Sequence, residues 1–219
     1  MRWLEVRRHS LTEKGAARGR GSQLSAEGVA LARLVGAVLG PFASVVTSAS
    51  PRAIETAVAM GFAVDGTVEL PSGYVPGEVE HHDQWRWPRP YRTYAELLGR
   101  GGRLAAVAQA HQAAWTRAVQ AVPEGAAALV VCHGGGIEPG LVACLPDADH
   151  GSWGRRSATA TARAWASRTA ASSASSFVGH RGRANPPWRC TPGTVRGLLR
   201  PRWSWTRSPR ARSAAAGDR

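Results

Sequence analysis

Leu4-Glu5-Val6-Arg7-Arg8-His9-Ser10 reads as a short buried strand, Trp3 to Val6, that runs straight into two arginines and a histidine. In an open α/β sheet, ligands bind in the crevice beyond the carboxyl ends of the strands. Cations and an imidazole at such an end form an anion site, whereas the same residues on an ordinary turn are merely solvated. The rest of the chain decides between these readings.

Two more strand–loop–helix junctions follow. Ser25 is a capping residue for a helix in which Leu31, Leu34, Val35, Val38 and Leu39 recur at helical spacing, as for packing on a sheet. A second buried strand, Ser44 to Thr47, leads into Ser50-Pro51-Arg52, where serine suits the N-cap and proline the first helical position. Arg52 then stands in the first helical turn, where the helix end is already partly positive. An arginine and free amides together suit a phosphate. A long amphipathic helix over 103–122 places Leu104, Val107, Ala108, His111, Trp115 and Val119 near one face. The apolar run Ala127 to Cys132 reads as a central parallel strand and ends in His133-Gly134-Gly135-Gly136. Glycines after a buried strand let the backbone approach a ligand closely. Ile137 to Leu145 reads as the next helix. The middle segment, 64–94, is less regular, with Thr67 to Leu70 read as a strand. Its His81-His82-Asp83 run lacks a third ligand at a metal-site spacing, so no metal is expected.

Composition removes other classes. The 219 residues carry a formal net charge of +13. Residues 1–154 hold 14 basic and 14 acidic side chains, so the whole excess lies in residues 155–219. A nucleic-acid partner is therefore a property the tail alone would supply. Three cysteines without metal spacing suit a reducing, cytoplasmic setting. No apolar run is long enough to span a membrane. Oligomeric state is not legible.

Arg8-His9, Arg52 and His133 thus stand at three junctions that a parallel sheet can bring to one crevice. Two arginines would neutralise phosphoryl oxygens, and one imidazole could attack phosphorus. In this arrangement the sequence resembles the histidine phosphatase superfamily, with its phosphoglycerate-mutase-like fold. The resemblance rests on Val6-Arg7-Arg8-His9-Ser10, on Leu24-Ser25-Ala26-Glu27-Gly28, on Val46 through Ala57, and on Val130-Val131-Cys132-His133-Gly134-Gly135. It implies a three-layer α/β/α sandwich with a mainly parallel sheet over residues 1–154. It implies a phosphomonoesterase in which His9 becomes phosphohistidine, Arg8 and Arg52 clamp the phosphoryl group, and His133 donates a further hydrogen bond. Ser10 and Gly134 become substrate-binding candidates, and a small phosphorylated molecule the substrate. An acidic residue of the middle segment, Glu78 or Glu80, would pass the proton to the leaving group. No cofactor or metal is implied. Flanking arginines would lower the His9 pKa and keep the nucleophile neutral. The family usually has glycine where Ser10 stands, and the loop beyond Ser10 lacks its usual polar set, which favours phosphatase over mutase. A catalytically inactive phospho-ligand binder and a nucleic-acid binder acting through the tail are the alternatives.

From Arg155 onward Arg, Ala, Ser, Pro and Trp dominate, without hydrophobic period and with Asp218 as the one acid. Such a segment is expected to be disordered. Out-of-frame translation of a GC-rich gene yields the same mixture.

Overall fold

The computed structural model describes residues 2–13, 21–81 and 83–153, together with the backbone of 162–166, 189–193 and 202–206; of Trp85 only the backbone is described. Strands β1 (Arg2–Arg8), β2 (Ser44–Ser48), β3 (Gly66–Val68) and β4 (Ala127–Cys132) lie parallel in the order β3-β2-β4-β1. With a strand on each side and helices over both faces, β4 has no solvent-facing row, which is why its sequence is unbroken apolar. The register pairs Arg8 with Cys132 and Thr47 with Val131, so β1, β2 and β4 finish level at one edge.

Side chains alternate across this sheet. Leu4, Val6, Ala128, Val130 and Cys132 join the larger core with residues of α3 (Pro90–Gly99), α4 (Arg103–Ala121) and α5 (Ile137–Cys144). Val45, Leu129 and Val131 face the other way, onto Ala53 and Ala57 of α2 (Pro51–Ala59). Helix α1 (Ala26–Gly36) packs beside α2. The result is the expected three-layer α/β/α arrangement with a mainly parallel sheet.

Alternation also separates the two arginines of the opening stretch. Glu5 and Arg7 lie on the face opposite Leu4 and Val6, both buried, with Arg7 Nε 2.8 Å from Glu5 Oε1. Arg7 therefore belongs to a buried ion pair, and Arg8 alone continues toward the strand end.

Helix α1 departs from the sequence reading. It buries Gly28, Ala32 and Gly36, while Leu31, Leu34 and Val38 are 38%, 72% and 66% exposed. The contact with α2 is too close for large side chains: a Cβ on Gly36 would stand 2.0 Å from the Met60 carbonyl oxygen. The small residues win the inner face, and the leucines expected on the sheet turn outward.

Much of 155–219, expected to be disordered or out of frame, lies outside the described residues. Within it, β5 (Ala162–Ala166) pairs antiparallel with β1, and β6 (Arg189–Gly193) and β7 (Arg202–Thr206) complete a sheet of order β3-β2-β4-β1-β5-β7-β6. Among the described residues no helix is long and apolar enough to cross a membrane.

Candidate active site

His9 is the first residue past β1, and its backbone N–H donates to the Cys132 carbonyl at 2.9 Å. That bond continues the β1–β4 ladder one step and sets the loop beside the end of β4. The His9 ring lies 5.3 Å from the His133 ring, centroid to centroid, tilted by 59°. Nδ1 of His9 stands 2.7 Å from its neighbour's carbonyl, Ser10 O. A carbonyl can only accept, so Nδ1 carries the hydrogen and Nε2 keeps the lone pair. The His9 pKa falls from 6.5 to about 3. Burial is the main cause, with His133, Arg8 and Arg52 adding in the same direction and the Ser10 carbonyl opposing. The sequence argument credited the arginines; they act, but desolvation acts more.

Arg8 and Arg52 reach the same region from different elements. The Arg8 guanidinium lies over Gly134, where an added Cβ would come within 3.1 Å of Cζ, Nε and one terminal nitrogen. Arg52, half-buried in the first turn of α2, donates to Ser22 Oγ at 3.2 Å. Its pKa is lowered by burial and then by the charge of Arg8. Two cations that disfavour each other, beside an imidazole kept neutral chiefly by burial, describe a place prepared for an anion.

A relay of hydrogen bonds fixes the loop after His9. The Ser10 N–H donates to Thr56 Oγ1 at 2.9 Å, and the Thr56 hydroxyl donates to the Arg52 carbonyl at 2.6 Å. The Ser10 hydroxyl donates to the Gly28 carbonyl at 2.8 Å. Ser10 thus spends both of its donors on the scaffold rather than on a ligand. Gly28 is required here, because a Cβ would stand 2.0 Å from the Leu11 carbonyl oxygen. Thr56 and Gly28 are functional supports that the sequence reading quoted without a role. No local pattern marks them, because each pairs with a loop residue far away in sequence.

His133 opens the glycine turn after β4. Its Nε2 is 2.8 Å from Ser48 Oγ, at the end of β2. The Gly135 N–H donates to Glu138 Oε2 at 2.7 Å, from a carboxylate that is 1% exposed. Gly135 has a φ of +87°, which glycine tolerates and a side chain resists.

The two glutamates expected to serve as proton donor are placed differently. Glu78 Oε1 accepts the Arg103 N–H at 2.8 Å and Oε2 accepts the Leu104 N–H at 3.0 Å. Glu78 therefore caps α4 from a distant loop, a task normally done by the residue before the helix; here that residue is Gly102, which has no side chain. Glu80 is exposed, and its Oε1 accepts the Gly77 N–H at 2.8 Å within its own turn. Another carboxylate stands at a strand end itself. Glu69 follows β3 directly, one residue past the Ser48–Val68 pair, and is exposed. The loop it opens leans on the glycine turn: a Cβ on Gly73 would stand 1.8 Å from the Gly135 carbonyl oxygen. Tyr74 follows, its ring 3.5 Å from a Cβ built on Gly135. Thr67 to Leu70 was expected as a strand; β3 in fact spans Gly66–Val68, so Glu69 opens the loop that follows it.

The family model described as "Histidine phosphatase superfamily (branch 1)" matches residues 6–172. No curated protein matches in a sequence search. Among solved structures, the chain is similar to a mycobacterial glucosyl-3-phosphoglycerate phosphatase in complex with VO3, at 21% identity, covering 71% of this chain and 88% of that one, with a TM-score of 0.48. It is similar to a phosphoserine phosphatase from Entamoeba histolytica in complex with 3-phosphoglyceric acid, at 17% identity, covering 65% and 79%, with a TM-score of 0.46. It is also similar to a putative phosphohistidine phosphatase SixA from Nakamurella multipartitia, at 25% identity, covering 61% and 59%, with a TM-score of 0.33.

Proposed function

Since the chain belongs to the histidine phosphatase superfamily, branch 1, we propose that it hydrolyses a small phosphate monoester, without a metal, through a phosphohistidine at His9. The observation that carries this is the state of His9: neutral, with Nδ1 bound to Ser10 O, Nε2 left as the nucleophile, and His133 alongside.

Nε2 attacks phosphorus, the N–P bond forms, and the bond from phosphorus to the ester oxygen breaks. Arg8 and Arg52 neutralise the equatorial oxygens, and His133, oriented through Ser48, adds a hydrogen bond. The departing alkoxide takes a proton from a carboxylic acid, and that carboxylate then takes one from the incoming water. Water oxygen bonds to phosphorus as the N–P bond breaks, which releases phosphate and restores neutral His9. We assign the proton carrier as Glu69, because Glu78 and Glu80 already serve backbone amides. The Gly134 backbone lies beneath the Arg8 guanidinium and lets it approach the phosphoryl group from the glycine turn. Cys132 and Cys144 are free and buried, and burial raises the Cys132 pKa to about 12, which fits an unreactive thiol in a cytoplasmic setting.

The test is turnover of p-nitrophenyl phosphate and of a panel of phosphorylated metabolites by wild type and His9→Ala. Activity should vanish in the variant. Undiminished turnover would exclude His9 as nucleophile. Vanadate binding by a wild-type protein inert to every ester would instead favour a phospho-ligand binder.

A further inference from the structure

His111 lies in the middle of α4, on its apolar face, and is 1% exposed. A histidine there has an ordinary explanation as filler of the core. Its contacts are more specific than that. Nε2 stands 3.1 Å from the carbonyl oxygen of Pro71, 40 residues earlier in sequence. A carbonyl only accepts, so Nε2 carries the hydrogen. Nδ1 is then the bare nitrogen, and it is buried without a hydrogen-bond partner. Burial lowers the His111 pKa, the Pro71 contact opposing, so the ring stays neutral and its single N–H is committed to one carbonyl.

Pro71 stands two residues beyond Glu69. The same edge of the His111 ring also meets the glycine turn: a Cβ on Gly136 would lie 2.5 Å from His111 Cε1 and Nε2. Gly73, on the Glu69 loop, abuts Gly135 of the same turn. One imidazole therefore touches the backbone that follows His133 and holds by hydrogen bond the loop that follows β3. A leucine at this position would fill the space and leave the Pro71 carbonyl without its donor.

We propose that His111 is a positioning residue: through its bond to Pro71 O it fixes the loop carrying Glu69 against the His133–Gly136 turn, and so sets the proton donor relative to the phosphoryl site. This rests on the assignment of Glu69 above. Its consequence is selective. An alkyl phosphate needs a proton on its leaving oxygen, whereas p-nitrophenolate departs without one. Displacing the loop should therefore slow formation of the phosphohistidine from alkyl esters far more than from aryl esters. Its hydrolysis, in which the same carboxylate takes the proton from water, is common to both, and a general loosening of the fold slows both alike.

The experiment compares kcat/KM, which reports the step in which the leaving group departs, for glycerol phosphate and p-nitrophenyl phosphate in the full chain, with vanadate affinity as a measure of the intact phosphoryl site. His111→Phe keeps the ring and removes the donor. It should lose roughly 10- to 100-fold on glycerol phosphate, as misplacement of a catalytic group does, and less than about threefold on the aryl ester, with vanadate binding unchanged. His111→Met, whose flexible side chain adapts to irregular space, is a second variant without the donor should the first be unstable. His111→Gln, which can still donate, should recover much of the alkyl activity. Glu69→Gln is run beside them. Selective loss in Glu69→Gln with equal or no loss in both donorless variants overturns the role of His111 alone. Absence of selective loss in Glu69→Gln overturns the assignment of Glu69, and this inference with it.

Discussion

Replacing Glu78 by alanine separates two roles that a carboxylate in this segment can have. Its two oxygens accept the N–H groups of Arg103 and Leu104, the first amides of the 19-residue helix α4. Losing a cap of this kind costs about 0.5–2 kcal/mol. Removing a negative charge from the positive end of a helix costs a further ~0.3–1 kcal/mol. A total near 2 kcal/mol lowers the melting temperature by roughly 4–8 °C for a domain of this size. Helix α4 is built into the larger core through Leu104, Trp115 and Val119, so the loss should be felt by the whole fold. Glu78→Gln retains one carbonyl acceptor and should fall between. The assay is thermal unfolding together with kcat on glycerol phosphate below the transition. The account predicts a clear drop in melting temperature with kcat within about threefold of wild type, whereas loss of a general acid slows an alkyl ester by about 10²- to 10⁴-fold. An unchanged melting temperature with a hundredfold loss of kcat would refute the reasoning and return Glu78 to the catalytic set.

Three further outcomes are expected. His9, His111 and His150 all have lowered pKa values, so the unfolded chain takes up protons near pH 6.5 that the folded chain refuses. Stability should fall as pH drops below 6.5, by at most ~1.4 kcal/mol per pH unit for each histidine, and His9 continues to contribute down to about pH 3; urea unfolding that is independent of pH between 7.5 and 5.5 would contradict this. Thr56→Val removes the acceptor of the Ser10 N–H and should cost about 1–3 kcal/mol, with a larger fractional loss in kcat than a remote substitution of equal cost, read by denaturant titration and kinetics together. Gly28→Ala forces a methyl group onto the Leu11 carbonyl and should cost about 1–3 kcal/mol, with activity falling in step; a variant as stable and active as wild type would mean that the loop after His9 is not held as described.

The sheet was legible because each central strand carries its own signal. Ala127–Cys132 is apolar throughout since neither face meets water, and Ser50-Pro51 marks the start of α2 by local backbone preference. The convergence of His9, Arg8, Arg52 and His133 followed from strand order, since parallel neighbours finish at one edge. What escaped depended on partners distant in sequence. Arg7 and Arg8 look equivalent as a pair, and only the alternation of β1 against its neighbours turns Arg7 toward Glu5. The outward leucines of α1 have perfect helical spacing, but so does the Gly28, Ala32 and Gly36 row, and the closeness of α2 chooses between them. Glu78 looks like a free acid until α4 is seen to begin at a glycine. Nothing in the sequence around His111 hints that its partner is the carbonyl of Pro71. Helix α3 was also missed, in a segment where prolines and tryptophans mask the helical period.

Most directly, the account is tested by chemical trapping of the enzyme during turnover. Wild-type protein quenched with a radiolabelled phosphate ester should carry an acid-labile, alkali-stable label on the peptide containing His9, and His9→Ala should carry none. A label on another residue, or full turnover with no histidine-bound phosphate, would contradict it.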